Sequence, residues 1–322
     1  MIAAACILAA AGIVYWRASA RGLDRRVESP LAIVPPGAAL VLSLEVRKLA
    51  ATPAGAELLK KYAGSYLGGV GADCAARMIQ RAESLLLVID GAQDQLALPE
   101  PSELAIIAAG PLEDEAVAAC VEQAIQKKKG KPVRTSIGSF VTIRDQRGMS
   151  GEVAVRPGGP LVISNGRYLR DILDAADGKQ RPPSELERTR DALHAELRRS
   201  FGRNAPLVAT VTLPSGWLER TLDDADAKLS PLSELRSAAL RLEPAGDGFV
   251  LEALLGHGST QAAERVEKLM LELLPELEPW LAEQLGRRAT AQLVPRREQA
   301  TLRLSLHLTR DEIDKLLQAA GR

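Results

Sequence analysis

Three histidines, three cysteines and a few short acidic runs are the residues of this 322-residue chain whose types could carry chemistry. His194, His257 and His307 lie far apart, with no HxxxH or HxxE spacing, and Cys6, Cys74 and Cys120 form no CxxC pair. The spacing therefore assigns no metal ligand. His257, between Gly256 and Gly258 in LLGHGST ahead of a helix, is the histidine best placed for a functional role. The nearest approach to a nucleophile elbow is Gly148-Met149-Ser150-Gly151, which lacks GxSxG spacing and reads as a loop between two strands. Gly69-x-Gly71 has Cys74 where a dinucleotide fingerprint needs glycine, and Gly130-Lys131-Pro132 and Gly178-Lys179 are turns rather than phosphate-binding loops. The carboxylates Asp223-Asp224-x-Asp226 and Glu276-x-Glu278 read as solvated helix faces. No catalytic, cofactor-binding or metal-binding residue is assigned, and no cofactor.

Cys74 in GADCAARM and Cys120 in AVAACVEQ sit among small apolar residues and read as packing, with a Cys74–Cys120 disulfide as the alternative in an oxidising compartment. The run Lys127-Lys128-Lys129-Gly130-Lys131 closes a helix over Ala116 to Gln126, where cations suit the helix dipole and Gly130 suits the position after the cap. Contact with an anionic surface is a second reading of that run. Nucleic acid is not expected, because the lysines are not interleaved with aromatics and Lys plus Arg equals Asp plus Glu at 41 each.

These residues need elements to position them, and the first lies at the start of the chain. Ile2 to Trp16 is uncharged, ends in the interface pair Tyr15-Trp16 and is followed by Arg17. As a helix it is about 22 Å long, short of a hydrocarbon core of about 30 Å. It reads as a transmembrane helix or anchor, or as a signal peptide with Ala18-Ser19-Ala20 as its cleavage site. Arg17, Arg21, Arg25 and Arg26 favour a cytoplasmic body by the positive-inside rule. Export is nevertheless the preferred expectation, on the view that Met1 abuts the apolar run because a basic extension precedes it in the gene.

Apolar residues at 46% and charged residues at 25% are ordinary for a folded body. The expected organisation is an anchor or signal segment at 1–16, a tether at 17–38, a first α+β repeat at 39–178, a linker and connecting helix at 179–205, and a second α+β repeat at 206–322. Each repeat is expected to run strand-helix-hairpin-helix-hairpin-helix, with mostly antiparallel or mixed sheets and helices packed on one face. The closing helices carry the closest match, Leu169-x-x-Ile172-Leu173-x-Ala175-Ala176 against Ile313-x-x-Leu316-Leu317-x-Ala319-Ala320. Between the copies, Ser184-x-x-Glu187 is a capping box. The apolar helix from Thr260 to Leu285 contains Pro275 and Pro279, where a kink or break is expected, and Trp280 could dock a partner or a membrane surface.

The stretch Val34 to Tyr62, VPPGAALVLSLEVRKLAATPAGAELLKKY, resembles the opening of uncharacterised bacterial envelope proteins, in which a membrane or signal segment leads through a strand and helix into a duplicated α+β body. The resemblance implies no established activity and carries over no catalytic residue. The expected function is a non-enzymatic binding or structural role at the envelope, with the membrane engaged through the N-terminal segment, a protein partner, and neither nucleic acid nor metal. The alternatives are a hydrolase with its site between the repeats and a regulator facing the cytoplasm.

Overall fold

The computed structural model describes residues 30–62, 81–91, 104–147, 151–201, 205–213, 227–286, 292–313 and 315. Short runs of alternating aliphatic residues form the strands: β1 (Leu40–Glu45), β2 (Ser84–Ile89), β3 (Leu104–Ala109), β4 (Pro132–Ile137), β5 (Phe140–Asp145) and β6 (Glu152–Val155). They are followed by β7 (Leu161–Ser164), β8 (Leu207–Thr212), β9 (Leu235–Ala245), β10 (Gly248–His257), β11 (Arg296–Glu298) and β12 (Thr301–Leu308). The helices are α1 (Val46–Ala50), α2 (Pro53–Tyr62), α3 (Asp114–Lys127), α4 (Gly166–Ala176), α5 (Glu185–Phe201) and α6 (Thr260–Leu285).

The expectation of two tandem units with helices on one face is corrected. All the strands form one 12-stranded sheet in the order β11-β12-β10-β9-β8-β1-β2-β3-β7-β6-β5-β4. Every recorded pairing is antiparallel, and β1 of the first half pairs directly with β8 of the second, Val41 opposite Thr210. The seam is a full ladder of backbone hydrogen bonds, so neither half ends in an edge there. Helices cover both faces, because strand residues of both parities are apolar.

On the front face, Tyr168, Leu169, Ile172 and Leu173 of α4 cover Val41, Leu86, Val88, Ile107, Phe140 and Val162. Ile33, from the 3-10 turn Pro30–Ile33 through which the chain enters the fold, packs into the same cluster. Leu197 and Phe201 of α5 lie on Val208, Ala239 and Leu254, also at the front. On the back, α3 packs Val117 on Ala108, Val155 and Leu161, while α6 packs Ala263 and Val266 on Leu302. Further along α6, Leu281 and Leu285 meet Phe249, Leu306, Leu49 of α1 and Ala54 of α2.

Two more expectations change. No helix of the described residues is long and apolar enough to cross a membrane, which corrects the transmembrane-helix assignment for this part of the chain; Ile2–Trp16 lies outside the described residues. Helix α6, at 26 residues, has the length but carries charged side chains throughout. It also runs unbroken through Pro275 and Pro279. The Ser184–Glu187 capping box is present, with Glu187 N–H donating to Ser184 Oγ at 3.3 Å and Ser184 N–H to Glu187 Oε2 at 2.7 Å.

Candidate functional site

Helix α5 lies across the seam, and its buried residues Arg190, His194, Leu197 and Phe201 recur at helical spacing on one side. His194 Nε2 lies 2.9 Å from the carbonyl of Ala38 and Nδ1 lies 2.7 Å from Thr210 Oγ1. A carbonyl only accepts, so Nε2 carries the proton and Nδ1 receives the threonine hydroxyl. Asp191 accepts the Gly37 N–H at 2.9 Å, and Arg198 donates to Ser43 Oγ and the Val41 carbonyl at 3.1 and 3.2 Å. His194 thus ties α5 to β8 and to the segment leading into β1.

Burial lowers the His194 pKa, and the Arg198 and Arg190 charges push the same way against the Ala38 hydrogen bond. His257, buried with Nδ1 3.2 Å from the Ala300 carbonyl, is lowered as well, chiefly by burial. The unfolded chain therefore holds these protons more tightly. Stability is complete above about pH 6.5 and declines as pH falls through that value toward the folded pKa values. Urea unfolding midpoints should be lower at pH 5 than at pH 7.5, and His194→Gln should flatten the dependence; a wild-type midpoint independent of pH over this range would contradict the assignment.

His257 gains no catalytic partner: its Nε2 has no hydrogen bond, and no carboxylate bonds to either ring nitrogen among the described residues. His307 is exposed on the front of β12, far from the other two in the fold. No group of three or more His, Cys, Asp or Glu among the described residues is placed to hold a metal. Cys6, Gly69, Gly71, Cys74, Ser150, Asp223, Asp224 and Asp226 lie outside the described residues. Glu276 and Glu278 sit on α6 beside Trp280, which is 54% exposed. Cys120, expected as packing, is disulfide-bonded; its partner lies outside the described residues.

Sequence reasoning passed over two polar centres. On the front of the second half, the Glu252 side chain is only 7% exposed and lies between Arg241 and Arg303. Arg241 Nε donates to Glu252 Oε2 at 2.7 Å, and its Nη1 donates to the Phe201 carbonyl at 2.8 Å. Arg303 bonds the other carboxylate oxygen. Beside it, Gln292, Val294, Arg296, Arg303, Ser305 and His307 line a cleft of about 430 Å³. The sequence signal is a charged residue within each apolar alternation, Arg241 in AALRLEP, Glu252 in FVLEALL and Arg303 in TLRLSLHL.

The second centre is a cleft of about 460 Å³ on the front of the first half, lined by Ile137, Arg144, Glu152, Arg167 and Arg170 among others, with the α4 N-terminus at Gly166 on its wall. Asn165 Oδ1 caps that helix by accepting the Gly166 N–H at 2.8 Å. The cleft's lining residue Arg144 lies one residue before Asp145, at the corner of the sheet where α3 ends and β4 begins. There Asp145 Oδ1 accepts the Lys131 N–H at 3.1 Å and the Arg147 N–H at 3.3 Å, joining the lysine turn to the end of β5. Lys127, Lys128, Lys129, Lys131, Arg144 and Arg147 are all exposed at this corner. The cap itself differs from expectation, since Lys129 and not Gly130 takes the left-handed conformation, with φ of 59°. Lys129 N–H donates to the Gln126 carbonyl and Gly130 N–H to the Ile125 carbonyl, which is the Schellman pattern. Gly130 is needed for space, because a Cβ there would lie 2.4 Å from Asp145 Oδ2.

No family model matches the chain, and no curated protein does. Among solved structures, crystal form III of TP0453 aligns with a TM-score of 0.53 at 12% identity, covering 90% of this chain and 98% of that one. The chain shares the TP0453 fold. Crystal form I of TP0453 aligns at a TM-score of 0.48 and 10% identity, over 90% of this chain and 97% of that one. At such identity the likeness to TP0453 is one of architecture, and residue roles rest on the geometry above.

Proposed function

We propose that this chain is an exported, non-enzymatic binding protein of the bacterial envelope, with its body on the extracytoplasmic side. The observation that carries the reading is the disulfide at Cys120. Such bonds persist in oxidising compartments and are rare where thiols are kept reduced. Cys74 is the partner that the sequence reading offers for Cys120. The apolar run Ile2–Trp16 supplies the export or membrane-attachment signal, and the resemblance of Val34 to Tyr62 to envelope proteins agrees with it. A binding role is supported by the front cleft of the first half, whose cations are arginines. A guanidinium stays charged and so holds an anionic group without exchanging a proton with it.

The test is alkylation of intact cells with a membrane-permeant thiol reagent, followed by peptide mapping. Cys120 should remain unmodified until a reductant is added, and the unreduced digest should contain a Cys74–Cys120 linked peptide. A phosphatase reporter fused at Arg322 should be active as an extracytoplasmic enzyme. Full alkylation of Cys120 without reductant, or activity of a reporter that works only in the cytoplasm, would falsify the reading.

A further inference from the structure

We infer that the basic corner at the α3–β4 junction docks on the anionic headgroup surface of a phospholipid bilayer. The inference rests on the envelope-binding reading and names the partner of that surface. The chain is neutral overall, with 41 cationic and 41 acidic residues, yet the corner sets six exposed cations against two carboxylates, Asp145 and Glu152, the latter in the cleft with Arg144. Asp145 is already committed to two backbone N–H groups. Arg134, the next cation along β4, is by contrast held by Glu115 and Glu122 on α3. The charges at the corner are therefore segregated, as a surface that meets an extended anionic plane requires.

Lys129 adds an independent observation. A non-glycine residue in the left-handed region costs on the order of the strain that makes glycine the usual occupant of this cap position. The helix dipole gains little from a third lysine beyond Lys127 and Lys128, since the effect falls off within the last turn. A lysine kept in a strained backbone position indicates a use for its charge.

The geometry also relates the corner to the membrane segment. The chain enters the fold at Pro30–Ile33, and Ile33 packs against α4 at the front of the first half. Near the far end of that helix, Gln180 Nε2 bonds the Val34 carbonyl at 3.4 Å. The cleft arginines Arg167 and Arg170 lie toward the other end of α4, a helix of 11 residues and so about 16 Å long. Residues 17–29 link the apolar run Ile2–Trp16 to this entry, a reach of at most about 45 Å when extended. They carry Arg17, Arg21, Arg25 and Arg26, cations of the same sign as the corner. A bilayer held by Ile2–Trp16 therefore lies within reach of the front face. Single-stranded nucleic acid fits less well: the adjoining aromatics Phe140 and Tyr168 are buried and present no stacking platform.

The test measures partition of the full-length chain between buffer and vesicles of phosphatidylcholine alone or with phosphatidylglycerol. Each cation at an anionic surface contributes about fivefold in affinity. The wild type should prefer the phosphatidylglycerol vesicles by at least about 100-fold, and the preference should collapse in molar salt. Replacing Lys127, Lys128, Lys129, Lys131, Arg144 and Arg147 by Gln should abolish the preference and leave binding to phosphatidylcholine unchanged. All six are exposed, so an unaltered urea midpoint verifies the fold. Should that variant not fold, Arg167→Gln with Arg170→Gln is the second probe, with an expected loss of about 25-fold. A preference left undiminished by either folded variant overturns the inference, as does equal affinity of the wild type for both vesicle types or stronger retention on single-stranded DNA than on the anionic vesicles. The assay reads headgroup preference whatever the native compartment. Failure of the disulfide and reporter experiments would thus remove the envelope reading, while failure here would remove only the lipid partner.

Discussion

Glu252→Ala should lower the free energy of unfolding by about 3–5 kcal/mol, the range for removing one partner of a buried ion pair. The loss arises less from the missing bonds than from what remains. Arg241 and Arg303, whose side chains are only 23% and 27% exposed, would face each other with no carboxylate between them. Glu298 offers Arg303 little relief, since its Oε1 lies 3.4 Å from an Arg303 Nε that forms no hydrogen bond. Arg241 keeps the Phe201 carbonyl and its place over the Phe201 ring, 5.5 Å from the centroid, so part of its cost is absorbed by α5. The contrasting variant decides the mechanism. Replacing Glu252, Arg241 and Arg303 together by Leu should restore stability to within about 1 kcal/mol of the wild type, because apolar replacement of a whole buried ionic cluster is often neutral or better. Urea unfolding of both proteins is the measurement. A loss below about 1 kcal/mol for Glu252→Ala would mean that the arginines reach solvent freely and that the cluster is a surface feature.

How much of this was legible in the sequence depended on whether a residue's partner was near it in the chain. β3, Leu104–Ala109, is legible in the sequence, because uninterrupted aliphatic residues between turn signals fit a strand buried on both sides. The capping box at Ser184 was legible for the same reason, since both partners lie within one helical turn. Strand β4 was missed. PVRTSI begins with a proline and is polar, which suits an edge whose outer side faces solvent. β11 at Arg296–Glu298, turned by Gln299 in a left-handed conformation, is not legible either. Its three exposed charged residues carry no apolar signal at all.

The fold class erred on a point that no local pattern carries. Whether two runs of strands form separate sheets or one depends on what β1 pairs with across 160-odd residues of chain, and LVLSLE is equally apolar in either case. The same non-locality hid the candidate site. In the sequence, Lys127–Lys131 reads as the end of one helix because its own neighbours account for it. Only the pairing of β4 with β5, with Val133 opposite Arg144, brings Arg144 and Arg147 beside the lysines and turns a helix end into a charged surface. Histidine spacing, by contrast, drew attention to His257 over His194, yet His194 is the one that ties three parts of the chain together. Its partners are Ala38, two residues before β1, and Thr210 of β8, which sequence distance keeps apart.

Asp177→Ala should lower stability by about 3 kcal/mol, at the lower end of the range for breaking a buried pair. Asp177 caps α4 at its C-terminal end, an unusual place for an anion beside the negative end of a helix dipole. Its position is explained by Arg156, whose side chain is 5% exposed and whose Nη1 lies 3.0 Å from Asp177 Oδ1. The Ser139 hydroxyl and N–H also bond the carboxylate, at 2.6 and 3.1 Å, and hold its pKa below the ordinary carboxylate value, with the Arg156 charge assisting. Without Asp177, Arg156 keeps the Ala176 carbonyl, the Ser139 hydroxyl and the face of Phe140 at 4.5 Å, which is why the expected loss is not larger. The sign of the pH dependence separates this site from the histidines. A carboxylate with a lowered folded pKa contributes fully above about pH 4 and loses that contribution as pH falls further, whereas the histidine contribution declines below about pH 6.5. Wild type minus Asp177→Ala stability should therefore stay constant from pH 7 to 5 and shrink toward pH 3. A difference that instead narrowed between pH 7 and 5 would place the titrating group on α5 rather than at the end of α4.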